Sequence, residues 1–182
     1  MTTTAVSIDF PEKHSRLTTF FRLFLAIPLE IFGYVYEILA LICVIITWFV
    51  MIITGRYPSG LYNFVSGYVR FYGRFTGYLL LAVDTYPPFS GAEAPDYPVQ
   101  VTIPERQAKY SRLKAFFRFF YVLPALILLY VLGIVLVVLE IVAWIIILIS
   151  GRLPGFIANY IQFTLGWAIK FIGLYFLLIE NY

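Results

Sequence analysis

A single cysteine, Cys43, lies in the middle of an apolar run and leaves the chain without an internal disulfide or a thiolate metal cage. Histidine is equally scarce: His14 stands alone and is expected to be a solvated residue near the first basic segment. One of each cannot furnish a metal cluster or most nucleophile–base sets. No P-loop, GxGxxG, HExxH, CxxC or G-x-S-x-G occurs, and the acids are spread over helix ends and linkers with no paired acid/base arrangement. The expectation is a protein that is not an enzyme, with no catalytic, cofactor-binding or metal-binding residue and no cofactor. Charge is short too. Charged residues make up 13% and hydrophobic ones 62%, where a soluble domain has about a quarter charged and about half apolar. The opening to Pro11 lacks the basic stretch of a secretory signal, and the apolar run after it is too long for one. The hydrophobic segments are therefore expected to stay in the mature protein.

What is present is a repeat. Sliding the chain by 96 residues lays Ser15–Tyr86 on Ser111–Tyr182 without a gap. Ser15, Arg16, Leu17, Phe20, Phe21, Arg22, Phe24 and Pro28 return as Ser111, Arg112, Leu113, Phe116, Phe117, Arg118, Phe120 and Pro124. Trp48 returns as Trp144, Gly55-Arg56 as Gly151-Arg152, Pro58 as Pro154, Asn63 as Asn159, and Gly77 as Gly173, with Arg74 becoming Lys170. Apolar sequences match by chance; shared Gly, Pro, Arg and Trp positions do not, so duplication is the reading. It divides the chain into a first module over 1–89, a linker over 90–96 and a second module over 97–182.

Each module opens with period-two alternation, Val6, Ile8, Phe10 and Val99, Val101, Ile103. That predicts a short strand, or else an ordered extended linker, ended by Pro11 and Pro104. Next, Leu17, Phe20, Phe21, Phe24 and Leu25 share one helical face, as do Leu113, Phe116, Phe117, Phe120 and Tyr121. Arg16, Arg22, Arg112, Lys114 and Arg118 flank these faces and are the expected lipid-facing basic residues, an amphipathic interfacial helix against anionic headgroups. The alternative is that they are the basic flank of the following membrane helix. Pro28 and Pro124 are expected to break the run at the turn into the membrane. Leu29–Ile53 and Ala125–Ile149 then reach roughly 37 Å at 1.5 Å per residue, enough to span. Gly55 and Gly151 read as C-caps, and the nearby prolines as the start of a returning helix. That second helix, near Leu61–Val83 and again Ile157–Ile179, carries a small-and-polar stripe: Asn63, Ser66, Gly67, Arg70, Gly73, Arg74 and Gly77, then Asn159, Gln162, Gly166, Lys170 and Gly173. Such stripes face other helices, unless the helix lies on the surface.

The fold class that results is all-α integral membrane: four transmembrane helices as two tandem hairpins, each preceded by a short strand and an amphipathic interfacial helix. Lys13, Arg16, Arg22, Arg106, Lys109, Arg112, Lys114 and Arg118 lie on the N-terminal side of the spans, against Arg56 and Arg152 in the turns. The positive-inside rule then places both termini and the linker in the cytoplasm of a multi-pass plasma-membrane protein. Glu37, Arg70, Arg74, Glu140 and Lys170 are intramembrane charges, with Glu30 near enough to the interface to snorkel. Glu37 and Arg74 lie at nearly equal sequence distance from the Arg56 turn and are the expected ion pair; Glu140 and Arg70 are placed to meet across the modules. Such pairs fix helix packing or line an ion path.

Arg16-Leu…Phe20-Phe-Arg22…Ala26-Ile-Pro28, the Gly55-Arg56 turn, Arg70 with Arg74, and Asp84-Thr-Tyr-Pro-Pro-Phe89 resemble the prokaryotic membrane family catalogued as domain-of-unknown-function family 4389. The resemblance covers nearly the whole chain as two copies. The second copy departs at Gly166, where the first has Arg70, and ends at Tyr182 before any Pro-Pro-Phe. The resemblance implies a small membrane protein of unassigned activity and no reaction to carry over. The expected function is a non-enzymatic membrane scaffold or accessory protein that interacts with lipids, a homo-oligomer or a subunit of a membrane complex, with membrane shaping as one use of its hairpins. A small channel or transporter using the polar stripes is the alternative. Nucleic acid is not an expected partner, since the basic clusters abut membrane segments.

Overall fold

Serine, glycine and proline punctuate this chain where the repeat places them. The computed structural model describes residues 4–180, the side chains of Phe119 and Tyr121 excepted. In order it has β1 (Ala5–Ile8), α1 (Arg16–Thr54), α2 (Ser59–Leu79), β2 (Val99–Thr102), α3 (Arg112–Phe116), α4 (Arg118–Ser150) and α5 (Gly155–Tyr175). Ser15 and Ser111 cap α1 and α3, each hydroxyl accepting from the backbone N–H three residues on, which satisfies a donor the first turn leaves open. Gly55 (φ +69°) and Gly151 (φ +71°) end α1 and α4 in the left-handed region, a conformation that glycine adopts without a Cβ clash. Pro58 and Pro154 then start α2 and α5 from extended backbone.

One expectation is corrected and a second is met in part. Pro28 does not break the helix: α1 runs through it for 39 residues. The second copy does pause, but at Phe117, not at Pro124. A proline removes one backbone hydrogen bond, whereas a full turn among apolar surroundings would leave several groups without partners, so the continuous helix is the better solution. The interfacial and spanning helices of the first module are thus one helix. Second, two helices, α1 and the Val122–Ser150 part of α4, are long and apolar enough to cross a membrane. The charged and glycine-rich α2 and α5 are not among them.

The modules dock head to tail. His14 N–H donates to Gly151 O and Tyr110 N–H to Gly55 O, both at 2.8 Å. Trp48 Nε1 donates to Ala115 O at 3.0 Å and Trp144 Nε1 to Thr19 O at 3.1 Å. These bonds are equivalent under the repeat, so α1 and α4 run antiparallel about a pseudo-twofold axis. One contact is met with its roles exchanged. Tyr36 of α1 reaches the Phe64 carbonyl of α2, while Tyr160 of α5 reaches back to Leu132 of α4.

The predicted strands exist and pair with each other, antiparallel, from Ala5↔Thr102 to Ile8↔Val99. They also cross over: β1 packs on α5 and β2 on α2, so each module covers the second helix of the other. The close approach needs glycine. A Cβ at Gly73 would come within 2.4 Å of Val101 Cγ2, and one at Gly77 within 2.8 Å of Val99 Cγ2. Leu29 and Met51 of α1, Val65 and Phe71 of α2, Val99 of β2 and Ile161 and Ile169 of α5 belong to one buried cluster.

Because valine is stiff, Gly73→Ala must displace the ribbon. Overpacking of this kind is worth about 1–3 kcal/mol, and a matching fall in thermal stability is expected in detergent. Gly166→Ala, where a Cβ meets nothing within 4 Å, should leave stability within about 0.5 kcal/mol of the parent or raise it. Equal behaviour of the two variants would show that the ribbon does not rest on α2.

Candidate membrane interface

The interface is built by what α1 and α4 leave uncovered. Buried residues of α1, Thr19, Arg22, Ala26, Leu29, Ala40, Thr47 and Met51, keep helical spacing and form one stripe. Around the rest of the circumference apolar side chains are open from Leu17 to Ile53, among them Phe24, Ile31, Val35, Ile42 and Phe49. α3 and α4 repeat this from Leu113 through Phe120, Ile127 and Val137 to Ile149. A soluble monomer seldom exposes a contiguous apolar patch beyond a few hundred Å².

The five basic residues expected to face lipid divide. Arg16 and Arg112 are exposed and Lys114 half-buried. Arg16 also donates to Ile149 O at 2.8 Å, meeting the C-terminal end of α4, where a cation is favoured by the helix dipole. Arg22 and Arg118 are corrected: both are buried. Arg22 donates to the carbonyls of Tyr78 and Val83 and to Asp84 Oδ1 at 2.6 Å, and its guanidinium lies 4.7 Å from the Tyr78 ring centroid. Arg118 donates to Ile179 O at 2.9 Å. The apolar face of the same helix turns outward, and the arginines, on the inner stripe, satisfy carbonyls at the ends of α2 and α5. Tyr121, expected on the outer face, and Tyr182, the counterpart of Tyr86, lie outside what is described.

Around Arg22 stands a polar clamp. Asp84 accepts from Arg22, from Ser15 N–H at 2.6 Å and from His14 Nδ1 at 3.3 Å. The expectation of a solvated His14 is thereby corrected, since it is buried between the Gly151 turn and this carboxylate. The second module has the counterpart: Glu180 Oε1 accepts from Ser111 N–H. Both modules reach the acid through a leucine in the left-handed region, Leu81 (φ 57°) and Leu177 (φ 64°), which L side chains adopt at a cost. Burial alone would raise the Asp84 carboxyl, but the hydrogen bonds from His14 and Ser15 and the charges of His14 and Arg22 outweigh it and hold it below 3.8.

The charges expected inside a membrane find other partners than expected. Arg74 does not meet Glu37; it donates to Ala92 O at 2.7 Å and Ser90 O at 3.5 Å. Glu37 is exposed in a crevice with Tyr68 and Tyr72. Arg74 lies two positions on from Tyr72, which is about 200° around a helix. Depth along the chain was comparable; the faces were not. Arg70 pairs with Glu93 at 3.0 Å, not with Glu140. Lys170 Nζ lies 5.2 Å from the Trp167 ring centroid, a cation–π contact. Glu140 sits in a cleft of about 370 Å³ with Arg22 and Trp144, and its Oε1 has no hydrogen-bond partner among the described residues. The repeat-related cleft, about 480 Å³, holds Arg118, Trp48 and, in the position of Glu140, Val44. The stripe on α2 is filled from Gly67 onward, where Gly67 meets Gly91, Gly73 and Gly77 meet β2, and both arginines bind the linker, while Asn63 at its start is exposed. On α5, Asn159 and Gln162 stay exposed. Among the described residues no three His, Cys, Asp or Glu side chains gather as a metal site.

Sequence reasoning missed Asp84 and Glu180. The signal was there: acids 96 residues apart, as are Arg22 and Arg118. Asp84→Asn leaves Arg22 buried without its counter-charge, and breaking such a pair is worth about 3 kcal/mol. Because the folded carboxyl is held below its ordinary value, its contribution is complete above 3.8 and is lost as pH falls through the lower folded value. Thermal unfolding across the acid range should show that step in the parent and lack it in Asp84→Asn. An identical acid profile in the two proteins would remove Asp84 from the clamp.

No curated protein and no solved structure matches the chain. A family described as a domain of unknown function, DUF4389, matches residues 16–91 and again 112–182, from the start of α1 and of α3 into the segment after each hairpin. The two matches follow the repeat and take in Arg22 with Asp84 and Arg118 with Glu180, and the chain belongs to this family as a tandem two-copy member.

Proposed function

We propose that this protein is a non-enzymatic membrane scaffold whose working surface is the lipid bilayer, carrying anionic headgroups at its basic ends. The observation that supports it is the uncovered apolar face that runs the length of α1 and α4, with exposed Arg16, Arg56, Arg112 and Arg152 at its two ends. Buried Arg22 and Arg74 hold elements together, through the Asp84 clamp and the linker carbonyls, and the basic groups left for headgroups are those on the surface. A cell-membrane location and association with further copies or with a membrane complex belong to the same reading. The finer arrangement, four spans with both termini cytoplasmic, finds at most two candidate spans among the described residues, α1 and the Val122–Ser150 part of α4. It draws no support from the charge count, because the head-to-tail docking sets the two basic openings at opposite ends of the bundle.

The test is the lipid retained by protein purified in mild detergent from its own membrane, identified by mass spectrometry. A basic residue near an anionic surface contributes on the order of 1 kcal/mol, about a five-fold preference. Arg16→Gln with Arg112→Gln should lower the ratio of anionic to neutral lipid by at least that factor at unchanged fold. Retention equal to the parent's would sink the headgroup reading.

A further inference from the structure

Three features sit badly with helices that stand across a bilayer. Length is the first. With 39 residues in α1 and 33 in α4, the helices measure about 58 and 50 Å, against a hydrocarbon core of about 30 Å. Open apolar side chains run through the whole of α1 without a break that marks off one span. The second feature is two exposed acids, Glu30 and Glu37, on either side of Val35, the central residue of α1. Upright helices would hold both within about 8 Å of the midplane, where ionisable groups on a lipid-exposed surface are rare. Third is the β-ribbon. It has only two strands, each with one unpaired edge. It rests on Gly73 and Gly77, next to Phe71, which touches Gly33 near the middle of α1. Exposed Asp9 and Glu93 accompany it. Lipid cannot satisfy open strand edges, yet an upright molecule would carry them at mid-depth.

Turning the molecule through a right angle removes all three. We infer that α1 and α4 lie in the plane of one leaflet, their uncovered faces among acyl chains and the β-ribbon, α2 and α5 on the water side. The surface takes one leaflet of a bilayer that contains anionic lipid. Charge complementarity supports this occupant: Arg16 and Arg152 at one end, and Arg56 and Arg112 at the other, then meet the headgroups of the same leaflet. Glu30 and Glu37 face the crevice beside α2, not the outer pole of α1, and reach the headgroup layer from there. The inference rests on the membrane reading above and makes it one-sided.

The test is a depth profile. Single cysteines replace the exposed Phe24, Val35 and Ile46 in a Cys43→Ala background of the full chain, each carrying an environment-sensitive fluorophore. The protein is reconstituted in phosphatidylcholine–phosphatidylglycerol vesicles containing nitroxide lipids with the quencher at different depths. In-plane helices give one depth at all three positions. Upright helices put Val35 deeper than its two neighbours by about 16 Å, 11 residues along the axis; that profile, or any other slope along α1, overturns the in-plane arrangement and leaves the membrane reading standing. Absence of nitroxide quenching at all three overturns both.

Discussion

Each hairpin's turn is held by the opening of the other module, and the rest of the structure follows from that reciprocal docking. His14 binds the Gly151 carbonyl and Tyr110 binds the Gly55 carbonyl, so the left-handed glycine that ends each long helix is also the point where the next module begins to pack. The two bonds fix α1 against α4 in antiparallel register. The tryptophan indoles, donating to Thr19 and Ala115, repeat the same constraint a turn or two inward. With both ends tied, the strands are drawn to the middle, pair with each other, and each covers the second helix of the opposite module. Neither module could bury its own α2 or α5 in this way, which gives the duplication a physical purpose.

The ends of the second helices are where polar energy is concentrated. Arg22 sits beneath the end of α2 and takes the Tyr78 and Val83 carbonyls as well as Asp84. The Tyr78 carbonyl belongs to the negative end of the α2 dipole, and Arg22 brings the matching positive charge into a place with little water. A left-handed leucine, buried at Leu81 and again at Leu177, folds the chain so that the acid arrives at the serine cap. Backbone strain of order 1–3 kcal/mol per such residue persists only where its surroundings over-determine it. Here they do: in the first module Arg22, the Ser15 N–H and His14 all converge on Asp84, and in the second the Ser111 N–H donates to Glu180.

Polarity is sorted by side rather than by end. The long helices are open and apolar over most of their circumference, while the linker, the ribbon and the charges of α2 lie together on the opposite side. An ordinary spanning bundle sorts polarity along its axis, with water at both ends and lipid between. Hydropathy alone does not tell the two arrangements apart, since both need long apolar helices. Only the position of the ribbon and of Glu30 and Glu37 relative to the middle of α1 separates them.

Much of this was legible in the residues. The duplication, the glycine helix ends, the short strands and the two long apolar stretches are visible in residue patterns along the chain, and they stand in the fold. Membership of the family was legible through the same shared Arg, Gly and Pro positions. What the residues alone did not determine is everything that depends on rotation about a helix axis or on which module meets which. Arg22 and Arg118 read as headgroup ligands because their helix is amphipathic, but they occupy its inner stripe. Glu37 and Arg74 lie at comparable height in a hairpin, but Glu37 shares its crevice with Tyr72, and Arg74 is about 200° further around α2. Two basic openings count as one side of a membrane only if the modules are parallel. The tertiary structure set them antiparallel, because a two-stranded ribbon and a pair of left-handed glycine turns find their missing partners only in the other copy.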